Sequence, residues 1–218
     1  MPEPRTLPTD SPLRSSQRQT GRRFLQRRRQ VIDAAVQLFA EKGYDGTSLL
    51  DIADAVGLLK GSLYYYARSK EDLLFAIVEE FYAEGLASAA ELRDSAGTPT
   101  EKLRRSLERA AHYMLTHRAQ VTIYFHDAKA LSAERQALLA PQRSTFGRTL
   151  AELIKAGQQT GEFRPDVEAR IASVALVGSI NWLAMQDPAD APTAARRRRF
   201  VDDYCDLLLK SVTHERPH

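Results

Sequence analysis

The chain has 218 residues, 43% of them hydrophobic and 27% charged, with a single cysteine at Cys205. That is the composition of a folded globular protein; one cysteine excludes an intramolecular disulfide and a cysteine-based zinc site, and it suits a reducing, cytoplasmic setting. The net charge of +3 is unevenly placed: residues 1–70 hold 12 Lys and Arg against 7 Asp and Glu, residues 71–218 hold 19 against 21, so a basic front drawn to a polyanion precedes a mildly acidic back.

The first 22 residues are rich in Pro, Ser, Thr and Gln and nearly devoid of apolar side chains, and they read as a disordered basic arm without a signal-peptide core. Within "RRFLQRRR" at 22–29 the charges mark either a solvated helix start or the part of the arm that lies along phosphates. A first helix over 23–43 carries Ile32, Ala35, Val36 and Phe39 on one face and stops at Gly43. Ser48 and Asp51 have capping-box spacing for a second helix over 48–56, which Gly57 breaks. A third helix runs over 60–66, and Ser69 with Asp72 caps a long fourth helix whose Leu74, Ile77, Val78 and Phe81 share a face. Thr98, Pro99 and Glu101 are N-cap, N1 and N3 of a helix over 99–117; others follow over 120–131, 134–159, 167–186 and 194–212, with breaks at Pro141, which falls inside or at the start of one helix, at 161–165 and at "DPADAP", 187–192. No strand alternation and no internal repeat occurs. The expected fold is all-α with about nine helices: an arm (1–22), a three-helix helix-turn-helix DNA-binding domain (23–70) and a larger helical ligand-binding and dimerisation domain (71–218).

The second and third helices are too short to be stable alone and must pack on the first. Ala53 is small where they cross, Gly57 allows the turn, and Ile52, Val56 and Leu63 use up the buried face. Lys60, Ser62, Tyr64 and Tyr66 are left outside, with Tyr65 intermediate. A cation, hydroxyls and aromatic edges on one short helix suit phosphate oxygens and base edges in a major groove.

From Arg28 to Leu74 the sequence resembles the TetR family of bacterial transcriptional regulators. The residues that carry the resemblance are Leu38-Phe39 with Gly43-Tyr44, Thr47-Ser48 followed by Ile52-Ala53 and Gly57, then Gly61-Ser62-Leu63-Tyr64 and Ser69-Lys70. The resemblance implies a homodimer that binds a palindromic operator and usually represses. It implies DNA contacts by Thr47, Ser48, Lys60, Gly61, Ser62, Tyr64, Tyr65, Tyr66 and Lys70. Two positions depart from the family pattern: Ala67 replaces the usual Phe, and Leu50 stands where many members have an Arg.

In the back domain, "IASVALVGSINWLAM" (171–185) is apolar nearly all round, so it should be buried on two sides. One side would be its own core. The other would be a second copy, approached over Ala172, Ala175 and Gly178, with Val201, Leu207, Leu208 and Val212 of the last helix completing a four-helix interface. The run is shorter than the ~20 residues of a membrane span. Polar groups set in apolar helices are pocket candidates: His117, Tyr124, Asp127, Asn181 and Trp182 above all, with His112, Tyr113 and His126 behind them. His112 and His117 are splayed around their helix and His126 and Asp127 point apart, so no metal site is expected, and no cofactor motif is present. "RRRR" at 196–199 reads as a solvated turn, or one that meets acidic 202–206 or an anionic ligand. The segments 117–131 and 156–168 resemble the branch of the family that answers to acyl-CoA thioesters in fatty-acid and steroid breakdown. An efflux-type regulator of a hydrophobic drug and an architectural DNA binder without a ligand are the alternatives, and catalysis finds no motif.

Overall fold

The computed structural model describes residues 12–186 and 193–213. Among these are ten α-helices, two short 3₁₀ turns and no strand. The chain divides into two compact units, Met1–Leu73 and Leu74–His218.

In the first unit, α1 spans Pro12–Lys42, α2 Leu49–Ala55 and α3 Lys60–Leu63, and α4 (Lys70–Asp94) begins there. The described part of the expected disordered arm is thus helical. Proline presets φ at a helix start, and the Gln and Arg that follow are good helix formers; residues 1–11 lie outside the described part. Gly43 ends α1 at φ 76° and Gly57 follows α2 at φ 65°, backbone conformations that favour glycine. The Ser48–Asp51 capping box is formed, and the Ser69 hydroxyl and the Asp72 carboxylate accept each other's backbone N–H at the start of α4. The third helix is shorter than expected. Beyond Leu63 the bonds Tyr65 N–H to Ser62 and Tyr66 N–H to Leu63 are those of turns, so only four residues are helical. Val31, Ile32, Ala35, Val36, Phe39, Ile52, Ala53, Leu63 and Ala67 are buried. The Ala67 departure leaves a small residue inside rather than a hole at the surface.

The second unit continues with α5 (Pro99–Thr116), α6 (Arg118–Asp127), α7 (Ala133–Leu139), α8 (Thr145–Gln159), α9 (Ala169–Trp182) and α10 (Ala194–Val212). The helix expected over 134–159 is two, parted around Pro141, which has no N–H to continue the ladder and crowds the preceding turn. The expected break at 187–192 lies outside the described residues. Thr98 and Glu101 form the capping box of α5, with Pro99 inside it. The four arginines 196–199 are not a turn: they lie in the first turns of α10 and are exposed, with Arg199 3.8 Å from Asp203.

The core of this unit gathers Leu103, Leu107, Leu150, Ile154, Phe163, Leu176, Leu183 and Leu209. Cys205 is fully buried in it, and burial, with Glu108 nearby, pushes its thiol up to about 12. The loop after α8 is pinned from both sides. Gln158 Nε2 donates to Arg164 O at 3.0 Å and Val167 O at 2.7 Å, and Arg164 N–H donates to Val212 O at 2.9 Å. No helix among the described residues is long and apolar enough to cross a membrane.

The two-sided burial expected for 171–185 is half met within the chain. Ala172, Ser173, Leu176 and Ile180 face the core, whereas Ile171 (58%), Val174 (63%) and Trp182 (63%) are exposed, as are Ala175 and Gly178. On α10, Leu208 and Val212 belong to the core instead of the surface, and Phe200 and Leu207 are exposed. Tyr204 Oη donates to Ser179 O at 2.7 Å and joins α10 to α9.

Gly157 lies directly against the ring of fully buried Phe163, and a methyl group there would overlap it. Gly157→Ala should therefore destabilise the protein by about 1–3 kcal/mol through overpacking. The check is a lowered denaturant midpoint with an unchanged m-value.

Candidate functional site

Lys60, Gly61 and Ser62 form the exposed start of α3 while Leu63 is buried beneath them. Ser48 is exposed at the N-cap of α2, where its hydroxyl donates to the Asp51 carboxylate at 2.5 Å and accepts from Asp51 N–H at 3.1 Å. The tyrosines divide differently from the expectation. Tyr64 (46%) and Tyr65 (73%) are exposed and Tyr66 is half-buried. The cause is Phe24 on α1, whose ring stacks on Tyr66 at 5.4 Å and meets the edge of Tyr65 at 5.2 Å. Because α3 unwinds into a turn after Leu63, the last two rings follow the turn rather than a helical rotation.

Two expected contacts are internal. Thr47 is buried, and its hydroxyl is shared between Leu38 O (3.2 Å) and Gly43 O (2.9 Å). The side chain is consumed in closing α1 and is not presented outward. Lys70 is half-buried; its ammonium donates to Tyr44 O at 2.6 Å and lies 4.2 Å from the centre of the Tyr44 ring. It therefore serves carbonyls of the turn that follows α1.

Sequence reasoning missed three residues here. Arg27 donates to Val56 O at 2.7 Å and caps the C-terminal end of α2. Leu59 (81%) is an exposed apolar side chain just before Lys60 in sequence, and Leu50 (49%), already noted as a departure from the family pattern, is exposed on α2. Phe24 was hidden inside a basic run, and only its apolar character among arginines signalled it.

In the second unit, α4, α5, α6, α8 and α9 enclose a cavity of about 770 Å³. Phe81, Leu107, Met114, Leu150, Leu176 and Val177 supply apolar wall. The rim and floor add Arg143, Arg148, Lys155 and Arg170 against two carboxylates, Glu84 and Glu152. Glu84 is paired with Arg109 at 2.9 Å. Of the five principal candidates, Tyr124 and Asn181 line the cavity; His117, Asp127 and Trp182 do not. His117 stacks on Tyr113 at 4.3 Å and forms hydrogen-bond contact with Thr116 Oγ1 at 2.9 Å, so it closes the α5–α6 junction. Asp127 ends α6 outside the wall, and Trp182 is on the exposed apolar stripe of α9. The lining residues not foreseen include Tyr82, Arg143 and Phe146. Tyr82 was within reach, because it is one helical turn after Val78 on the apolar face of α4. Among the described residues no three His, Cys, Asp or Glu side chains gather as metal ligands.

The role of Thr47 can be measured. Thr47→Val removes the buried hydroxyl whose proton Leu38 O and Gly43 O share and should cost about 1–3 kcal/mol in stability, whereas Thr47→Ser should recover most of it. Thermal unfolding of the three proteins in the absence of DNA is the check.

Residues 31–77 match "Bacterial regulatory proteins, tetR family", and residues 96–185 match "Tetracyclin repressor-like, C-terminal domain". The chain is 31% identical to the HTH-type transcriptional repressor KstR2 of Mycolicibacterium smegmatis over 193 residues, 86% of this chain and 91% of that one. The structure of ketosteroid transcriptional regulator KstR2 of Mycobacterium tuberculosis aligns with a TM-score of 0.77 at 26% identity, over 87% of this chain and 96% of that chain. AibR, solved in complex with isovaleryl coenzyme A and operator DNA, aligns with a TM-score of 0.73 at 25% identity, over 84% and 98%. With both halves matched, and with a 31% identical repressor aligned over nearly its whole length, the chain belongs to the TetR family of bacterial transcriptional regulators, a family of regulators and not of enzymes.

Proposed function

We propose that the chain is a repressor that holds a palindromic operator as a homodimer and lets it go when an acyl-CoA thioester occupies the cavity of the second unit. The observation that carries this reading is the make-up of that cavity. Its walls are apolar, and four cations stand around it against two carboxylates; Glu84 is paired with Arg109 and Arg170 with Glu168, which leaves Arg143, Arg148 and Lys155 against Glu152. An acyl chain matches the walls, and arginines match the phosphates of CoA, which a guanidinium binds through charge-assisted hydrogen bonds. A planar cationic drug would meet the wrong charge. KstR2, a ketosteroid transcriptional regulator, and AibR, solved with isovaleryl coenzyme A, add weight to the same reading.

DNA would be read by Lys60, Gly61, Ser62, Tyr64 and Tyr65 in a major groove, with Ser48 at the phosphates and Tyr66 behind. Half-sites about 34–36 Å apart require two copies. Their interface would be the exposed stripe of Ile171, Val174, Ala175, Gly178 and Trp182 on α9 with Phe200 and Leu207 on α10. The small residues there allow close approach. The ligand would act by binding better to a conformation whose two recognition helices no longer fit adjacent grooves.

Two measurements test this. Lys60→Ala should weaken binding to a selected operator by about 1–3 kcal/mol if the ammonium reads a base; wild-type affinity in the mutant would remove Lys60 from the interface. In a gel-shift and thermal-shift panel, long-chain and steroid-derived CoA thioesters should stabilise the protein and release DNA. Release by planar cationic drugs and by no thioester would overturn the acyl-CoA reading.

A further inference from the structure

Tyr82 on α4, Tyr124 on α6 and Arg143 in the turn between α7 and α8 converge on one side of the cavity. The two phenol oxygens are 3.2 Å apart, and Arg143 Nε donates to Tyr82 Oη at 3.4 Å. Both distances are at the long end for hydrogen bonds of these types, so neither hydroxyl is tightly engaged. An inventory of donors gives the chemistry. Each phenol has one proton, and the guanidinium has five and accepts nothing. Whichever tyrosine donates to the other, one phenol proton is left over, together with the terminal N–H groups of Arg143. The cluster is rich in donors and short of acceptors, so its complement is a ligand oxygen.

Position says which oxygen. Arg143 is exposed, Tyr124 is half-buried and Tyr82 is 6% exposed. The cluster therefore crosses from the wet rim to the dry wall. Tyr124 is also stacked on Phe81 at 4.1 Å, which gives its ring a fixed place. Burial, and then the bond to Tyr82, holds the Tyr124 phenol well above the ordinary tyrosine range, so it remains a neutral donor. In an acyl-CoA the acceptor that directly adjoins the apolar chain is the thioester carbonyl, and the amide carbonyls of the pantetheine arm follow only further towards the phosphates.

We infer that Tyr82, Tyr124 and Arg143 form a subsite for the thioester carbonyl oxygen, which sets the depth of the acyl chain and distinguishes thioesters from other amphiphiles of equal length. The inference rests on the acyl-CoA reading above. The test uses the full chain and a matched pair of probes, decanoyl-CoA and the thioether S-decyl-CoA, which lacks only the carbonyl oxygen. In titration calorimetry the wild type should prefer the thioester by about tenfold, the size of one well-placed hydrogen bond. Tyr124→Phe should bind both probes within about twofold of each other, with thioether affinity unchanged, since it removes the same bond from the protein side. Tyr82→Phe and Arg143→Gln should narrow the preference too, and either can stand in should Tyr124→Phe unfold. Equal wild-type affinity for the two probes, or a tenfold preference that survives in all three variants, would overturn the subsite while leaving acyl-CoA as effector. Failure of the wild type to bind either probe would overturn both.

Discussion

A helix end leaves its last carbonyls without intrahelical donors, and α1 ends at Lys42 where the chain turns towards α2. Everything else in that unit depends on how the oxygens there are satisfied. Gly43 N–H takes Phe39 O, Thr47 takes Leu38 O and Gly43 O, and Lys70 takes Tyr44 O from a later helix. Arg27 does the same for α2 at Val56 O. Helices of seven and four residues have no stability of their own, so these side-chain donors fix the angle at which α3 is held out. The consequence is a difference in placement. Residues that the family pattern groups together divide into those that build the surface, Thr47 and Lys70, and those that are the surface, Lys60 to Ser62 with Tyr64 and Tyr65.

What could be read from the sequence had local causes. The caps at Ser48, Ser69 and Thr98 depend on residues three apart, and each is formed as expected. Gly43 and Gly57 depend on one φ angle each. The core face of α1 followed from a 3.6-residue period. The failures involve partners far away in sequence. Whether Tyr65 or Tyr66 is covered depends on Phe24, and nothing near the tyrosines tells of it. Thr47 reads as a polar residue before a helix until the end of α1 is brought over it. Pro141 was visible, but a helix broken and resumed within a few residues looks continuous to a periodicity argument.

The cavity was harder still. Arg143 and Tyr82 are 61 positions apart, and Tyr124 is on a third element. Trp182 and Asn181 are neighbours in the chain with opposite fates: one lines the cavity, the other is exposed. A helix turns 100° per residue, so adjacency argues against a shared environment. Composition marked the back of the chain as mildly acidic, yet the cavity is cationic. Most carboxylates stand away from the cavity, some of them in surface pairs such as Arg104 with Asp206 and Arg164 with Asp166.

The buried thiol of Cys205 limits what this molecule can sense. Chemical oxidants act on thiolates that solvent can reach. With its titration moved to about 12, Cys205 would be ionised to only about one part in 10⁵ at neutral pH, and the core around it admits no reagent. The one sulfhydryl of the chain is thus a packing group of the core, held as the neutral thiol that reacts slowly with peroxides and disulfides.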